Sequence, residues 1–166
     1  MDIYGEWPAY APDEILPGLF QGGTEDDHTV GDPCPVDHYR GERRFDLVVT
    51  LYADAQPAPW GVEEMRFGFP DGNLTERAIQ RVIRMARLAH ERWTAGERVL
   101  VRCQAGVNRS GLVTALILMH DGMAADEAID LIRQRRSRVV LSNADFEWFL
   151  RTEAARLIHP SSIEAA

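Results

Sequence analysis

Lysine is missing altogether: all 18 basic residues are arginine. Arginine codons are mostly rich in G and C and lysine codons are not, so the skew reflects genome composition and carries no mechanism. Cysteine is nearly missing too. The two present, Cys34 and Cys103, are too few for a disulfide framework and suit a reducing compartment. No apolar run approaches the roughly 20 residues of a membrane span. The opening Met1-Asp2-Ile3-Tyr4-Gly5-Glu6 lacks both the basic start and the apolar centre of a signal peptide. A cytoplasmic protein with no membrane partner is expected. Positive charge is in deficit, with a net charge of −8, and the one dense basic cluster is Arg133-Gln-Arg-Arg-Ser-Arg138. It ends a helical pattern, where positive charge suits the helix dipole, so no nucleic-acid partner is expected.

What is present suits one domain spanning residues 1–166, with 45% hydrophobic residues to build a core. Residues 1–11, with Tyr4, Trp7 and Tyr10 among prolines, read as an extended arm whose aromatics are worth burying, and residues 160–166 as a frayed tail. Residues 14–23 are two short apolar pieces broken by Pro17-Gly18. The polar stretch 24–44 collects Asp26, Asp27, His28, Asp32, Cys34, Asp37 and His38, but at no spacing that fits zinc or calcium, so it reads as a solvated loop or short helix and no metal is expected. Residues 45–51 form a continuous β-branched apolar run, as for a strand covered on both faces. Residues 64–69 alternate as a strand and close on the turn Pro70-Asp71-Gly72.

The period then becomes helical. Asn73 and Glu76 fit a capping box, and Leu74, Ile79, Val82, Ile83, Ala86, Ala89 and Trp93 share a face until Gly96. A strand over 98–102 follows, then a helix to about His120 stopped by Gly122, another over 124–136, and a last one N-capped by Asn143 and running to about Leu157. Alternating strands and helices predict an α/β fold with a central, mostly parallel sheet flanked by helices.

The chemistry concentrates in residues 101–111, which read as strand, loop, helix. Cys103 falls at a helix N-terminus, where unpaired N–H groups and the dipole favour an anion. Arg109 can return its fork of donors over the same loop in the geometry suited to two phosphate oxygens. Backbone N–H groups from Gln104 to Ser110 would form a cradle, and Gly106 permits the close approach this needs. The bland alternative is a buried structural cysteine before an ordinary helix.

Cys103-x5-Arg109-Ser110, with Gly106 in the middle, resembles the signature loop of the cysteine-dependent protein tyrosine and dual-specificity phosphatases. Residues 14–23 and 139–146 resemble the opening strand pair and the closing segment of the dual-specificity members. The resemblance implies the phosphotyrosine protein phosphatase-like fold and hydrolysis of phosphate monoesters through a phosphocysteine, with no cofactor. Cys103 would be the nucleophile and Arg109 the clamp. Ser110 would donate its hydroxyl to the sulfur, and Gln104, Ala105, Gly106, Val107 and Asn108 would complete the phosphate site. Nothing in the loop can act as the acid, and the resemblance points to Asp71 on its separate turn, with Asp54 in reserve.

Uncharged Gln104, Ala105, Val107 and Asn108 favour a phosphorylated protein over a phosphoinositide, although a small phosphate monoester fits too. The modest length favours a shallow pocket that accepts phosphotyrosine as well as phosphoserine and phosphothreonine. A monomer is the default. One departure stands out: relatives usually have His before the nucleophile, and this chain has Arg102, which strand alternation points away from Cys103. Its expected effect is on the hydrogen bonding that holds the loop, with the alternative that its permanent charge nearby keeps the thiolate ionised. Cys34 is a candidate resolving thiol for Cys103. The competing readings are a phosphate-binding module without turnover, a phosphatase of non-protein phosphates, and a rhodanese or arsenate reductase. Intact Cys103, Arg109 and Asp71 argue against the first. The last two differ in the arginine or in where the cysteine falls.

Overall fold

The computed structural model describes residues 7–24, 45–59 and 61–160. Five short strands, β1 (Asp13–Leu16), β2 (Leu19–Gly22), β3 (Leu47–Thr50), β4 (Glu63–Arg66) and β5 (Val99–Arg102), form one sheet in the order β1-β2-β5-β3-β4. β1 and β2 are antiparallel, and every other pairing is parallel. The helices are α1 (Glu76–Thr94), α2 (Arg109–His120), α3 (Ala125–Arg135) and α4 (Ala144–Phe149). A π-helical turn, Leu150–Ala154, continues α4 into α5 (Ala155–Ile158). This is the α/β architecture that the alternation of patterns predicts.

The continuous apolar run of β3 has the expected meaning. All four of its residues are buried, and they divide by parity. Leu47 and Val49 join the main core under the helices, whereas Val48 joins Phe45 and Leu100 in a smaller cluster. β5 lies between β2 and β3, so the chain leaves its carboxyl end in the middle of the sheet, where open α/β sheets place ligands. α2 begins there and is buried from Arg109 to Met119. Full burial of side chains such as Leu112, Leu116 and Leu118 stabilises by about 2 kcal/mol each, so the helix that starts beside Cys103 is held on all sides.

Two boundaries differ from the sequence expectation. α1 is capped by Thr75, whose hydroxyl accepts the N–H of Ala78 at 3.2 Å, and not by Asn73. Leu74 and Ile79 then occupy the staple positions flanking the cap, both packed against the core. Strand β4 ends at Arg66, with one more bond from Phe67 N–H to the Thr50 carbonyl at 2.9 Å. Beyond it the chain turns inward past Ala53, so close to Gly68 that a Cβ there would lie 2.7 Å from the alanine methyl. The arm lies beside the signature loop, with Gly23 N–H donating to the Tyr10 carbonyl at 2.8 Å, but Trp7 is 64% exposed and not buried as expected. Tyr4, Cys34, the acidic and histidine cluster of 25–44, and the tail beyond Pro160 lie outside the described residues. Among the described residues no helix is long and apolar enough to cross a membrane, and no group of three His, Cys, Asp or Glu is arranged to hold a metal ion.

Three histidines meet where α2 ends. The His120 ring lies 6.0 Å from that of His90 and 6.4 Å from that of His159, and its Nε2 is buried with no partner among the described residues. Burial lowers the His120 pKa, and the charges of His90, His159 and Arg87 lower it further; a hydrogen bond to the Ile83 backbone works the other way without prevailing. The folded protein therefore holds His120 neutral while the unfolded chain protonates it near 6.5. This contribution to stability is complete above that value and is lost as pH falls below it. Thermal melts at about pH 7.5 and about pH 5.5 should show a larger fall in Tm for the wild type than for His120→Gln. Equal falls would remove His120 from the account.

Candidate active site

The site grows from the end of β5, where Arg102 pairs with Gly22 of β2 and with Thr50 of β3. Cys103 N–H donates to the Gly22 carbonyl at 3.3 Å, and from there the chain turns through 104–108 into α2. Every carbonyl from 104 to 107 accepts from a group outside the loop. That of Gln104 takes Thr24 N–H at 2.9 Å, and that of Ala105 takes Arg136 Nη2 at 3.5 Å. That of Gly106 takes Arg136 Nε at 2.6 Å and Gln21 Nε2 at 3.1 Å, and that of Val107 takes Leu141 N–H at 3.4 Å. In a trans peptide the N–H points opposite to the carbonyl. The N–H groups of 105–108 therefore turn to the inner side of the loop.

Gly106 makes this path possible. Its φ is +69°, and a Cβ on it would stand 2.4 Å from both the Gly22 carbonyl carbon and Arg136 Nη2. Leu141 also adopts a positive φ, 60°, where its N–H reaches the loop; for a non-glycine residue that costs about 1–3 kcal/mol.

Inside the loop Cys103 Sγ and Ser110 Oγ are 3.3 Å apart, and both residues are buried. The Arg109 guanidinium is aimed by Nη1, which donates to the Phe69 carbonyl at 3.0 Å, and by the Tyr52 ring, whose centroid lies 5.5 Å from Cζ. Its buried Nε has no partner among the described residues. Asp71 is exposed on its turn. Its Oδ2 accepts from Asn108 Nδ2 at 3.0 Å, and its Oδ1 accepts from Asn143 Nδ2 at 2.8 Å. The structure thus brings Asp71 to the loop. Asp54 sits in an exposed turn, and among the described residues no hydrogen bond joins it to the loop.

Arg102 points to the other face of the sheet, as alternation requires, and is 1% exposed. Its Nε donates to Thr50 Oγ1 at 2.9 Å, and its Nη2 to the Gln56 carbonyl at 2.5 Å and to Glu64 Oε1 at 3.2 Å. Burial works to raise the Glu64 pKa, but bonds from Thr50, the Ala58 N–H and Arg102, with the charge of Arg66, outweigh it and hold the carboxyl below its ordinary range. The arginine charge is therefore matched by Glu64, away from Cys103. What it fastens most directly is the segment after β3 that carries Tyr52.

Sequence reasoning missed the partners that lie far apart in the chain. Arg136 ends a helical pattern where positive charge suits the dipole, and it does cap α3, but its side chain is fully enclosed and serves more than the helix. Besides the loop carbonyls it donates to the carbonyls of Ala9 at 2.9 Å, Ala11 at 3.1 Å and Gln21 at 3.1 Å, and it pairs with Asp13 at 2.7 Å. Burial opposes its charge, and Asp13 and the Cys103 sulfur favour it. Tyr52 and the side chain of Asn108 had no local signal. Asn143 had one, its cap, which holds as expected: the side chain accepts from Asp145 N–H and Phe146 N–H.

Comparison with known proteins gives the family and the fold. The family model described as "Dual specificity phosphatase, catalytic domain" matches residues 59–153. The mouse dual specificity protein phosphatase 12 is 32% identical over 146 residues, which cover 83% of this chain and 40% of that protein. This chain therefore spans less than half the length of that curated relative. Among solved structures, human DUSP28 superposes with a TM-score of 0.70 at 22% identity, covering 89% of this chain and 95% of that one. The human tyrosine phosphatase-like serine/threonine/tyrosine-interacting protein gives 0.68 at 21% identity, covering 90% and 99%. At such identities the two structures establish the fold.

The enclosure of Arg136 has a measurable consequence. Arg136→Met takes the guanidinium's hydrogen bonds from the Gly106, Ala105, Gln21 and arm carbonyls and leaves the Asp13 carboxylate without its ion pair, and should destabilise by about 3 kcal/mol in urea denaturation. Arg135→Met, at the exposed neighbouring position, should stay within about 0.5 kcal/mol of wild type. Similar losses in both would mean that the buried network is not what stabilises this corner.

Proposed function

This chain belongs to the dual-specificity phosphatase catalytic-domain family, and from that premise we propose that it hydrolyses phosphate monoesters on proteins through a phosphocysteine, as one phosphatase domain across residues 1–166. The observation that carries the reading is the meeting of two groups of one loop with a third from a separate turn. A thiol at Cys103 lies 3.3 Å from the Ser110 hydroxyl, a guanidinium at Arg109 has an Nε with no partner among the described residues, and a carboxylate at Asp71 is hydrogen-bonded to the loop itself.

In the first step the Cys103 thiolate attacks phosphorus. The S–P bond forms as the P–O bond breaks, while Asp71 gives its proton to the departing oxygen. N–H groups of 105–108 and the Arg109 fork bind the equatorial oxygens, whose charge is greatest in the transition state. In the second step Asp71 takes a proton from water as the water attacks phosphorus. The sulfur leaves as thiolate and accepts a hydrogen bond from Ser110. A nucleophilic thiol needs a reducing compartment, in keeping with a cytoplasmic location.

Uncharged Gln104, Ala105, Val107 and Asn108 support phosphotyrosine and phosphoserine or phosphothreonine over a polyanionic lipid head group. A second reading is a phosphate-binding module without turnover. The fold is shared with a protein whose name describes it as tyrosine phosphatase-like and interacting, but the intact trio here favours turnover.

Hydrolysis of p-nitrophenyl phosphate without added metal separates the readings. The wild type should turn over, and Cys103→Ser should not. Asp71→Asn should lose about 10²-fold or more in kcat, most with poor leaving groups. Undiminished activity in Cys103→Ser would sink the mechanism, and an inactive wild type that still binds a phosphopeptide would establish the module.

A further inference from the structure

Asp71 is exposed, so packing does not fix its rotamer; two asparagine amides do. Neither amide is free to turn over. Asn143 Oδ1 is committed to Asp145 N–H at 3.0 Å and Phe146 N–H at 3.3 Å, which leaves its NH₂ facing Asp71 Oδ1 and the Gly72 carbonyl at 3.3 Å. Asn108 Oδ1 accepts from Ser142 Oγ at 3.2 Å and from Asn143 N–H at 3.0 Å, which leaves its NH₂ facing Asp71 Oδ2. The helix that Asn143 caps is anchored in the core by Phe146 and Phe149, and the Phe146 ring lies 6.2 Å from that of Phe69, two residues before Asp71.

We propose that Asn143 is the positioning residue of the proton donor, acting with the Asn108 side chain to fix where Asp71 carries its proton. The proposal rests on the phosphatase reading and on Asp71 as its acid. Each carboxylate oxygen gives one acceptor site to an amide and keeps one more. The proton of the first step occupies a remaining site and passes to the leaving oxygen as the P–O bond breaks, and Asp71 is left as the carboxylate that accepts a proton from water in the second. The amides touch neither phosphorus nor the leaving group. They restrict the directions from which the proton can be delivered, and misplacement by about 1 Å costs about 10²-fold.

The test separates this role from helix capping. Asn143→Ser keeps a good N-cap but is too short to reach Asp71. It should melt close to wild type, yet lose about 10-fold more kcat on phenyl phosphate, a poor leaving group, than on p-nitrophenyl phosphate. Added to Asp71→Asn, it should cost less than about 2-fold further, because the group it positions is already gone. Asn108→Ser, whose side chain makes no cap bond, should show the same leaving-group dependence and covers the case in which Asn143→Ser folds poorly. Equal losses on both substrates in the two variants, or full additivity with Asp71→Asn, would overturn the inference while leaving the phosphatase reading intact. A wild-type-like Asp71→Asn would remove the acid assignment and this inference with it, and an inactive wild type would remove all three.

Discussion

The enclosed guanidinium of Arg136 against the carbonyls of the signature loop is the contact on which the rest of the site depends. An anion cradle needs its N–H groups turned inward, and a peptide can do that only by turning carbonyls outward, where each needs a donor. Arg136 supplies Gly106 and Ala105, Gln21 shares Gly106, and the backbones of Thr24 and Leu141 supply Gln104 and Val107. Taking a guanidinium out of water is costly, and here six acceptors, one of them the Asp13 carboxylate, offset that cost. Because three of these acceptors lie on the arm and on β2, the segment before the sheet is part of the floor of the loop. The requirement for glycine at position 106 follows directly: the space a side chain would need is filled by Arg136 and Gly22.

On the other face of the sheet lies Arg102, at the position where the family resemblance leads one to expect His. A buried arginine next to the nucleophile would bring an uncompensated charge close to the thiol. Strand parity instead sends it among Thr50, Glu64 and the Gln56 carbonyl, and Glu64 is held ionised by the same set of donors. Arg66 joins that network and donates to the carbonyls of Ala53, Ala55 and Gln56. The segment so fastened begins at Tyr52, whose ring lies against the Arg109 guanidinium. Arg102 thus bears on the clamp through the loop after β3.

How much of this was legible in the sequence depended on separation along the chain. The signature loop was readable because nucleophile, glycine, arginine and serine fall within eight residues, positions 103–110, and the strand and helix on either side show their own periods. The α/β class and the N-cap at Asn143 were readable for the same reason. Arg136 was not, since its acceptors are 30 to 127 residues away and the local pattern, an arginine at a helix end, already has an ordinary explanation. Asn73 against Thr75 was a contest between two good caps two residues apart, decided by where Leu74 meets the core. Trp7 followed no local rule, and its exposure is a fact of tertiary placement.

The site also divides into parts of unlike rigidity, and the division suits its chemistry. Sulfur and hydroxyl sit at the buried junction of β5 and α2, where bonding on every side leaves little freedom. The proposed proton donor needs the opposite setting, because it would give up a proton to the substrate and recover one from water, and Asp71 is exposed on a turn. Exposure alone would leave the carboxylate free to rotate. The two asparagines restore the missing order without burying it, one anchored in the loop and the other in the cap of α4. In the proposed site the cradle at 103–110 is therefore completed by the turn at 70–72 and the cap at 143 together. A description that stopped at cysteine, arginine and aspartate would leave out what holds the third of them in place.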